Sequence, residues 1–247
     1  PISGRRGSIP DSKTYKRVYP NGGWRSTTIV SNSIGQGEIL MTPIQLANMM
    51  ATIANEGYYY TPHIIKRIEG HKIDKKFTTK HVTTIDKKYF KPIISGLFDV
   101  YNLGTARSLR VEGIDICGKT GTSENFAKIG GKKVQLKDHS IFVAFAPKDN
   151  PKIAIAVMVE NGGYGATIAG PIASLMIEKY LRQKITRIDL EKRILATSLQ
   201  SEYAISGGLS ETVKLQMRIS DSLLKKKTFI PTVKVKIDST KENKKAI

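Results

Sequence analysis

A single cysteine, Cys117, stands among the 247 residues, so no intrachain disulfide can form and no cysteine-based zinc cluster can be assembled. The four histidines (His63, His71, His81, His139) are scattered, with no close pair at metal-ligand spacing. No metal and no cofactor are therefore expected. Aromatic residues are scarce at 7% and do not interleave with the basic runs, as a stacking platform for nucleic acid requires. An RNP-type aromatic string, a Cys/His finger and a basic region leading into heptads are also missing, so nucleic acid is not the expected partner. No apolar run approaches the ~18 residues of a membrane span. Acid is in short supply too: 21 Asp+Glu face 40 Lys+Arg, a formal net charge of +19. Part of that excess is terminal, with eight lysines against Asp238 and Glu242 between residues 225 and 245. A basic surface of this kind fits an anionic cell-envelope polyanion as well as a nucleic acid.

What is present is enough for a core. With 40% hydrophobic residues the chain suits one domain, or one domain with an appendage. It begins at Pro1 without a signal peptide and is expected to be a piece of something longer.

Turn residues crowd positions 1–37, from Gly4 to Gly35-Gln36-Gly37, and predict loop with short extended pieces. Thr42, Pro43 and Gln45 then spell a capping box with proline at the first helical position. Ile44, Leu46, Ala47, Met50, Ile53 and Ala54 follow at helical spacing, Gly57 stops the helix, and the near-continuous apolar content predicts burial on more than one side. Pro62 to Ile68 reads as a short strand, 69–82 as an exposed lysine-rich hairpin or loop, and Asp86 to Tyr101 as a second helix. The period then shifts towards two. Ile114–Thr122, Ser140–Ala146 and Lys152–Val159 read as strands, the last two joined as a hairpin. Their apolar runs suit strands covered on both faces. A helix near Ala166–Leu181 would lie on the sheet. Residues 186–204 and 211–227 have helical character, and a boundary near residue 184 separates a domain over 1–184 from a basic tail over 185–247.

Gly118-Lys119-Thr120-Gly121-Thr122 is the segment that carries chemistry. On a strand, Lys119 and Gly121 point one way while Thr120 and Thr122 point the other. One face thus carries an ammonium beside a position without a side chain. The other offers two hydroxyls spaced to hold a carboxylate, and an edge strand can aim a free backbone N–H at a developing oxyanion.

Lys-Thr-Gly belongs, with Ser-x-x-Lys and a Ser-x-Asn or Ser-Asp-Asn motif, to the penicillin-binding proteins and class A β-lactamases. Gly4-Arg5-Arg6-Gly7-Ser8-Ile9-Pro10-Asp11, Ile34-Gly35-Gln36-Gly37-Glu38 and Met41 through Ala47 extend the likeness. So do Ala54-Asn55-Glu56-Gly57, Pro62-His63, Gly104-Thr105-Ala106, Gly118 through Ser123 and Phe145-Ala146-Pro147. In this collinear order, residues 1 to about 184 resemble the C-terminal half of a class B penicillin-binding protein transpeptidase domain, most like the penicillin-binding protein 2 branch.

That resemblance implies an α/β fold of serine β-lactamase/transpeptidase type, an antiparallel sheet with helices on both faces, of which this chain supplies the last three strands. It implies a peptidoglycan D,D-transpeptidase of wall elongation. Lys119 would supply positive potential beside the nucleophile, and Thr120 and Thr122 would bind the carboxylate of a stem peptide or a β-lactam. Gly121 would leave room for the acyl chain, and the Thr122 N–H would be one oxyanion donor. A membrane glycosyltransferase partner, an N-terminal membrane anchor and a location on the periplasmic side of the inner membrane are implied as well. The nucleophile belongs to a Ser-x-x-Lys that should precede Pro1, so this chain alone is expected to be inactive. Ser222-Leu223-Leu224-Lys225 has that form but lies in the wrong order, in the basic tail. Ser123-Glu124-Asn125 has the Ser-x-Asn form but abuts Lys119–Thr122 too closely to be a separate wall. Cys117 reads as a core residue, His139 as a hydrogen-bonded rim residue, and Gln36 and Glu38 as parts of a structural turn. A division-type transpeptidase, a β-lactam sensor and a non-catalytic polyanion-binding module remain alternatives.

Overall fold

Two helices occupy a stretch whose turn residues predict loop. In the computed structural model, which describes residues 6–64 and 69–205, these are α1 (Ser12–Val18) and α2 (Ser26–Ser33). The local cause for α1 is Asp11, whose carboxylate accepts from the Thr14 backbone N–H and hydroxyl, both at 2.8 Å. Such an N-cap starts a helix in spite of flanking turn residues. Tyr15 is buried on α1, and Trp24 stacks on it with ring centroids 5.4 Å apart.

The next helix, α3 (Pro43–Ala54), forms as its capping box predicts. The Thr42 N–H donates to Gln45 Oε1 at 2.9 Å, and the Gln45 N–H donates back to Thr42 Oγ1 at 3.4 Å. Left-handed backbone at Glu56 (φ 54°) and Gly57 (φ 109°) ends it. Met50 on its inner side is buried, whereas Ile44 remains 58% exposed. The helix is thus covered on its sheet side and open along its outer flank, a narrower burial than its composition predicts.

After it come β1 (Tyr58–Tyr59), α4 (Lys75–Thr78) and β2 (His81–Val82), with β1 and β2 paired antiparallel. The strand expected over Pro62–Ile68 is not formed at 62–64, and its remainder lies outside the described residues. A 3-10 turn over Lys87–Tyr89 leads into α5 (Phe90–Asn102), and another covers Arg107–Leu109. The rest of the described chain is β3 (Cys117–Ser123), β4 (Phe126–Ile129), β5 (Lys132–Gln135), β6 (His139–Ala146), β7 (Ile153–Val159), α6 (Ala169–Arg182), α7 (Ile188–Leu195) and α8 (Gln200–Ile205).

Strands β3, β6 and β7 make a three-stranded antiparallel sheet in the order β3-β6-β7, with Gly121 opposite Ile141 and Thr122 opposite Ser140. Between β3 and β6 the chain makes a separate β4–β5 hairpin, turned by Gly130 and Gly131, both at positive φ.

Side-chain alternation gives this sheet two apolar faces. On one, Cys117, Val143, Phe145 and Ala154 pack against Met50 and Ile53 of α3 and Ile94, Leu97 and Phe98 of α5. On the other, Phe142, Ala144 and Ile155 pack against Ala169, Ala173 and Ile177 of α6, with Tyr101, Leu109 and Ile116 beside them. Each fully buried large apolar side chain contributes about 1.5–3 kcal/mol, so both helical layers are strongly held. The expected α/β arrangement, a sheet between helices, is what forms.

Past residue 184 the chain is pinned by charge. Glu178 on α6 has no exposed surface. Its carboxylate accepts from the Thr186 N–H and hydroxyl and from Arg187 Nε at 3.0 Å. Arg187 Nη1 also donates to Leu109 O at 3.1 Å, the carbonyl that the Tyr101 hydroxyl binds. Burial raises the Glu178 pKa, but the Thr186 and Arg187 bonds outweigh it and hold the carboxyl below the usual carboxylate range.

Candidate active site

Strand β3 is an edge strand: β6 pairs with one side of it, and among the described residues no strand pairs with the other. Its sequence explains its placement. Gly118 faces α6, and a Cβ there would lie 2.8 Å from Phe142 Cζ and 3.1 Å from Ala144 Cβ. Only glycine lets β3 approach the core ring so closely. Cys117 before it faces the α3/α5 layer and anchors the strand.

Alternation then puts Lys119 on the α5 side and Thr120 on the α6 side, as the strand reading predicts. Lys119 is exposed, with its ammonium 2.9 Å from the Thr120 carbonyl oxygen, and no acid is paired with it among the described residues. The Thr120 hydroxyl lies 2.9 Å from the hydroxyl of Thr105. Thr120, Gly121 and Thr122 are all partly open. An accessible amine, two neighbouring alcohols and an unpaired strand edge are therefore brought together. That combination can hold a carboxylate and present backbone N–H groups to a carbonyl oxygen.

Thr105 is the member that residue chemistry did not single out. It precedes the 3-10 turn at Arg107–Leu109, and that turn is held by the Leu109 carbonyl bonds to Tyr101 and Arg187. Its only sequence signal is its place in Gly104-Thr105-Ala106. Ser140 is likewise unannounced. Opposite Thr122 and fully buried, its hydroxyl donates to Tyr164 O at 2.9 Å and accepts from the Ala169 N–H at 3.1 Å. This pins the turn before α6 onto the sheet. Gly165 in that turn sits so close that a Cβ would lie 2.3 Å from Ile141 O and 2.6 Å from Gly121 O.

The other candidates fall into structural places. Asn125 donates to Lys137 O at 3.2 Å and to Asn161 Oδ1, tying the base of the β4–β5 hairpin, so Ser123-Glu124-Asn125 is part of a hairpin neck. His139 Nδ1 accepts from the Asn161 N–H at 3.1 Å, which makes it the hydrogen-bonded rim residue expected and leaves the ring proton on Nε2. Cys117 is fully buried, and burial pushes its thiol up to about 12. Glu38 accepts from the Tyr19 hydroxyl at 3.0 Å. Ser222 and Lys225 lie outside the described residues. Clefts of 280, 420 and 710 Å³ lie elsewhere, and none of the three is lined by Lys119, Thr120 or Thr122.

A helix-flanked antiparallel sheet with Lys-Thr-Gly-Thr on an open edge defines the class of serine acyl-transfer enzymes to which β-lactamases and transpeptidases belong. Residues 8–178 match the penicillin binding protein transpeptidase domain family, and the chain belongs to that family. It is 31% identical over 190 residues to the peptidoglycan D,D-transpeptidase MrdA of Haemophilus influenzae, covering 72% of this chain and 28% of that relative. Among solved structures, PBP2 of Pseudomonas aeruginosa in complex with WCK 5153 superposes with a TM-score of 0.57 at 31% identity, over 73% of this chain and 39% of that one. A peptidoglycan synthase complex solved for its coordination of polymerization and crosslinking gives a TM-score of 0.60 at 30% identity, over 74% of this chain and 30% of the matched one. The chain thus spans between a quarter and two fifths of the length of these relatives.

Proposed function

We propose that this chain forms the Lys119–Thr122 wall of a serine D,D-transpeptidase site that crosslinks peptidoglycan stem peptides during wall elongation and is acylated by β-lactams. The observation that carries the reading is the Lys119-Thr120-Gly121-Thr122 run, its lysine exposed and the other three residues partly open, on a strand edge that no strand pairs with among the described residues, within a chain of the penicillin binding protein transpeptidase family. The serine hydroxyl of a Ser-x-x-Lys segment, supplied from outside this chain, attacks the stem-peptide carbonyl. The serine proton passes to the lysine of that segment and on to the departing amine as its C–N bond to the carbonyl breaks. The acyl group then passes from the serine oxygen to an acceptor amine, whose proton returns to the serine. Lys119 stabilises the negative charge near that serine. Thr120 and Thr122 hold the substrate carboxylate, and the Thr122 N–H faces the oxyanion, a donor worth about 10²–10³ in rate. Gly121 leaves the acyl chain its room.

The solved synthase complex supports a partner that polymerises glycan strands. A site working on the cell wall is read as periplasmic, held at the inner membrane by an anchor outside this chain. Among the described residues no helix is long and apolar enough to cross a membrane.

A fluorescent penicillin tests the reading. The 247-residue chain should stay unlabelled, and a polypeptide that joins it to its Ser-x-x-Lys segment should be labelled covalently. Labelling of the short chain, or none of the joined one, overturns the assignment.

A further inference from the structure

The β4–β5 hairpin breaks a rule of sheet electrostatics. In its register Lys128 stands opposite Lys133, and like charges directly across a strand pair repel. No acidic residue lies between Phe126 and Lys137. Among the described residues Lys128, Lys132 and Lys133 have no ion-pair partner.

Alternation sorts the hairpin into two faces. Ala127, Ile129 and Val134 are half-buried, whereas Phe126, Lys128, Lys133 and Gln135 are exposed together. Phe126 is 41% exposed, and Lys133 Nζ lies 3.9 Å from its ring centroid. One ammonium is thus held over a flat apolar surface with a second directly across the strand pair. The neck is fixed as well: Leu136 N–H donates to Asn125 O at 2.8 Å, and Asn125 lies just beyond Ser123, the last residue of β3. The charged face is therefore tethered to the strand that carries Thr120 and Thr122.

We propose that this face docks a carboxylate-bearing glycopeptide, the uncrosslinked peptidoglycan strand, with a stem carboxylate seated between Lys128 and Lys133 and the Phe126 ring against sugar or peptide. The proposal rests on the transpeptidase reading for its choice of ligand. An anion between the two ammonium groups removes their repulsion and accepts a charge-assisted hydrogen bond from each. Lysine pairs and an open aromatic ring complement a ligand that is anionic along its peptides and apolar on its sugar faces.

Binding of the 247-residue chain to fluorescein-labelled uncrosslinked strands with free stem carboxylates, followed by anisotropy, decides the matter. Binding should weaken as salt rises, and amidating the stem carboxylates should weaken it at least tenfold. Lys128→Glu should weaken it at least tenfold while raising or preserving thermal stability, because it places an acid opposite Lys133. Lys72→Glu alters net charge equally on an exposed lysine elsewhere and should weaken binding less than twofold. Equal binding of amidated strands, equal effects of the two substitutions, or competition by DNA as effective as by the strand would each overturn the proposal. Penicillin labelling of the serine-bearing protein is read independently of this binding, so failure of the docking face and failure of the transpeptidase assignment are told apart.

Discussion

Thr105 and Thr120, fifteen positions apart, share a hydroxyl–hydroxyl hydrogen bond of 2.9 Å. It joins the turn after α5 to the strand that carries Lys119-Thr120-Gly121-Thr122, and it limits the Thr120 hydroxyl to orientations that leave its remaining donor or acceptor facing outward. In the serine-bearing protein, Thr105→Val should slow penicillin acylation about fivefold, the equivalent of one hydrogen bond of ~1 kcal/mol. Thr105→Ser should restore it. Stopped-flow acylation rates measure both, and a valine variant as fast as the parent would remove the pair from the mechanism.

Lys119 separates function from stability. Its ammonium is exposed and makes no ion pair among the described residues, so Lys119→Ala should alter stability by no more than about 0.5 kcal/mol. Acylation of the serine-bearing protein should fall by about 10², the scale of losing one pre-aimed electrostatic group. Urea unfolding and penicillin labelling of the same preparation provide the comparison. A variant that labels at the parental rate contradicts the role given to Lys119.

Glu178 makes acid stability predictable. Its folded carboxyl titrates below the usual carboxylate range, so the native state binds fewer protons than the unfolded state there. Its contribution is complete above the unfolded value near 4.5 and fades as pH falls through the lower folded value. Glu178→Gln leaves Arg187 partly buried without its counter-charge and should cost about 3 kcal/mol at neutral pH. The gap between parent and variant should narrow as pH drops below about 4.5, a trend that melting curves at several pH values would show.

Cys117 points the other way on the pH scale. Burial raises its thiol from a usual value of 9.0 to about 12, so the unfolded state loses the proton first. Its share of stability is present below pH 9 and declines as pH rises towards the folded value. The same burial should leave the native protein unreactive towards an aromatic disulfide reagent at pH 8, with one thiol appearing on denaturation. Prompt native reaction would mean that β3 opens.

Legibility in the sequence followed the range of the interactions. The α3 box needed only Thr42 and Gln45, three residues apart, and both bonds form. Strands β6 and β7 declared themselves because a sheet covered on both faces leaves continuous apolar runs. The face-by-face placement of Lys119 and Thr120 followed from strand alternation alone. Helix α1 was readable in principle from Asp11 and Thr14 but was outweighed by the surrounding glycines and prolines. The β4–β5 hairpin had its signal in Gly130-Gly131, and the lysine-rich flanks hid its short alternation. Thr105 against Thr120, and Arg187 against Leu109 and Glu178, are pairings made by tertiary packing. No local pattern encodes them.

The seating of α6 on the sheet depends on one missing side chain and one hydroxyl. A Cβ on Gly165 would come within 2.3 Å of Ile141 O and 2.6 Å of Gly121 O, and neither atom can withdraw without disturbing the β3–β6 ladder. Gly165→Ala should therefore lift the turn from the strand pair and cost about 2–3 kcal/mol through overpacking. Ser140→Ala acts on the same turn by a different route. It strands the buried Ala169 N–H and Tyr164 carbonyl that its hydroxyl joins, at about 1–3 kcal/mol. If both work through the turn, the double variant should lose less than the sum of the two single losses, because once the turn has lifted, its hydroxyl bonds are already broken. Denaturant unfolding of the four proteins in that cycle measures the shortfall. Strict additivity would mean that Gly165 and Ser140 hold α6 independently.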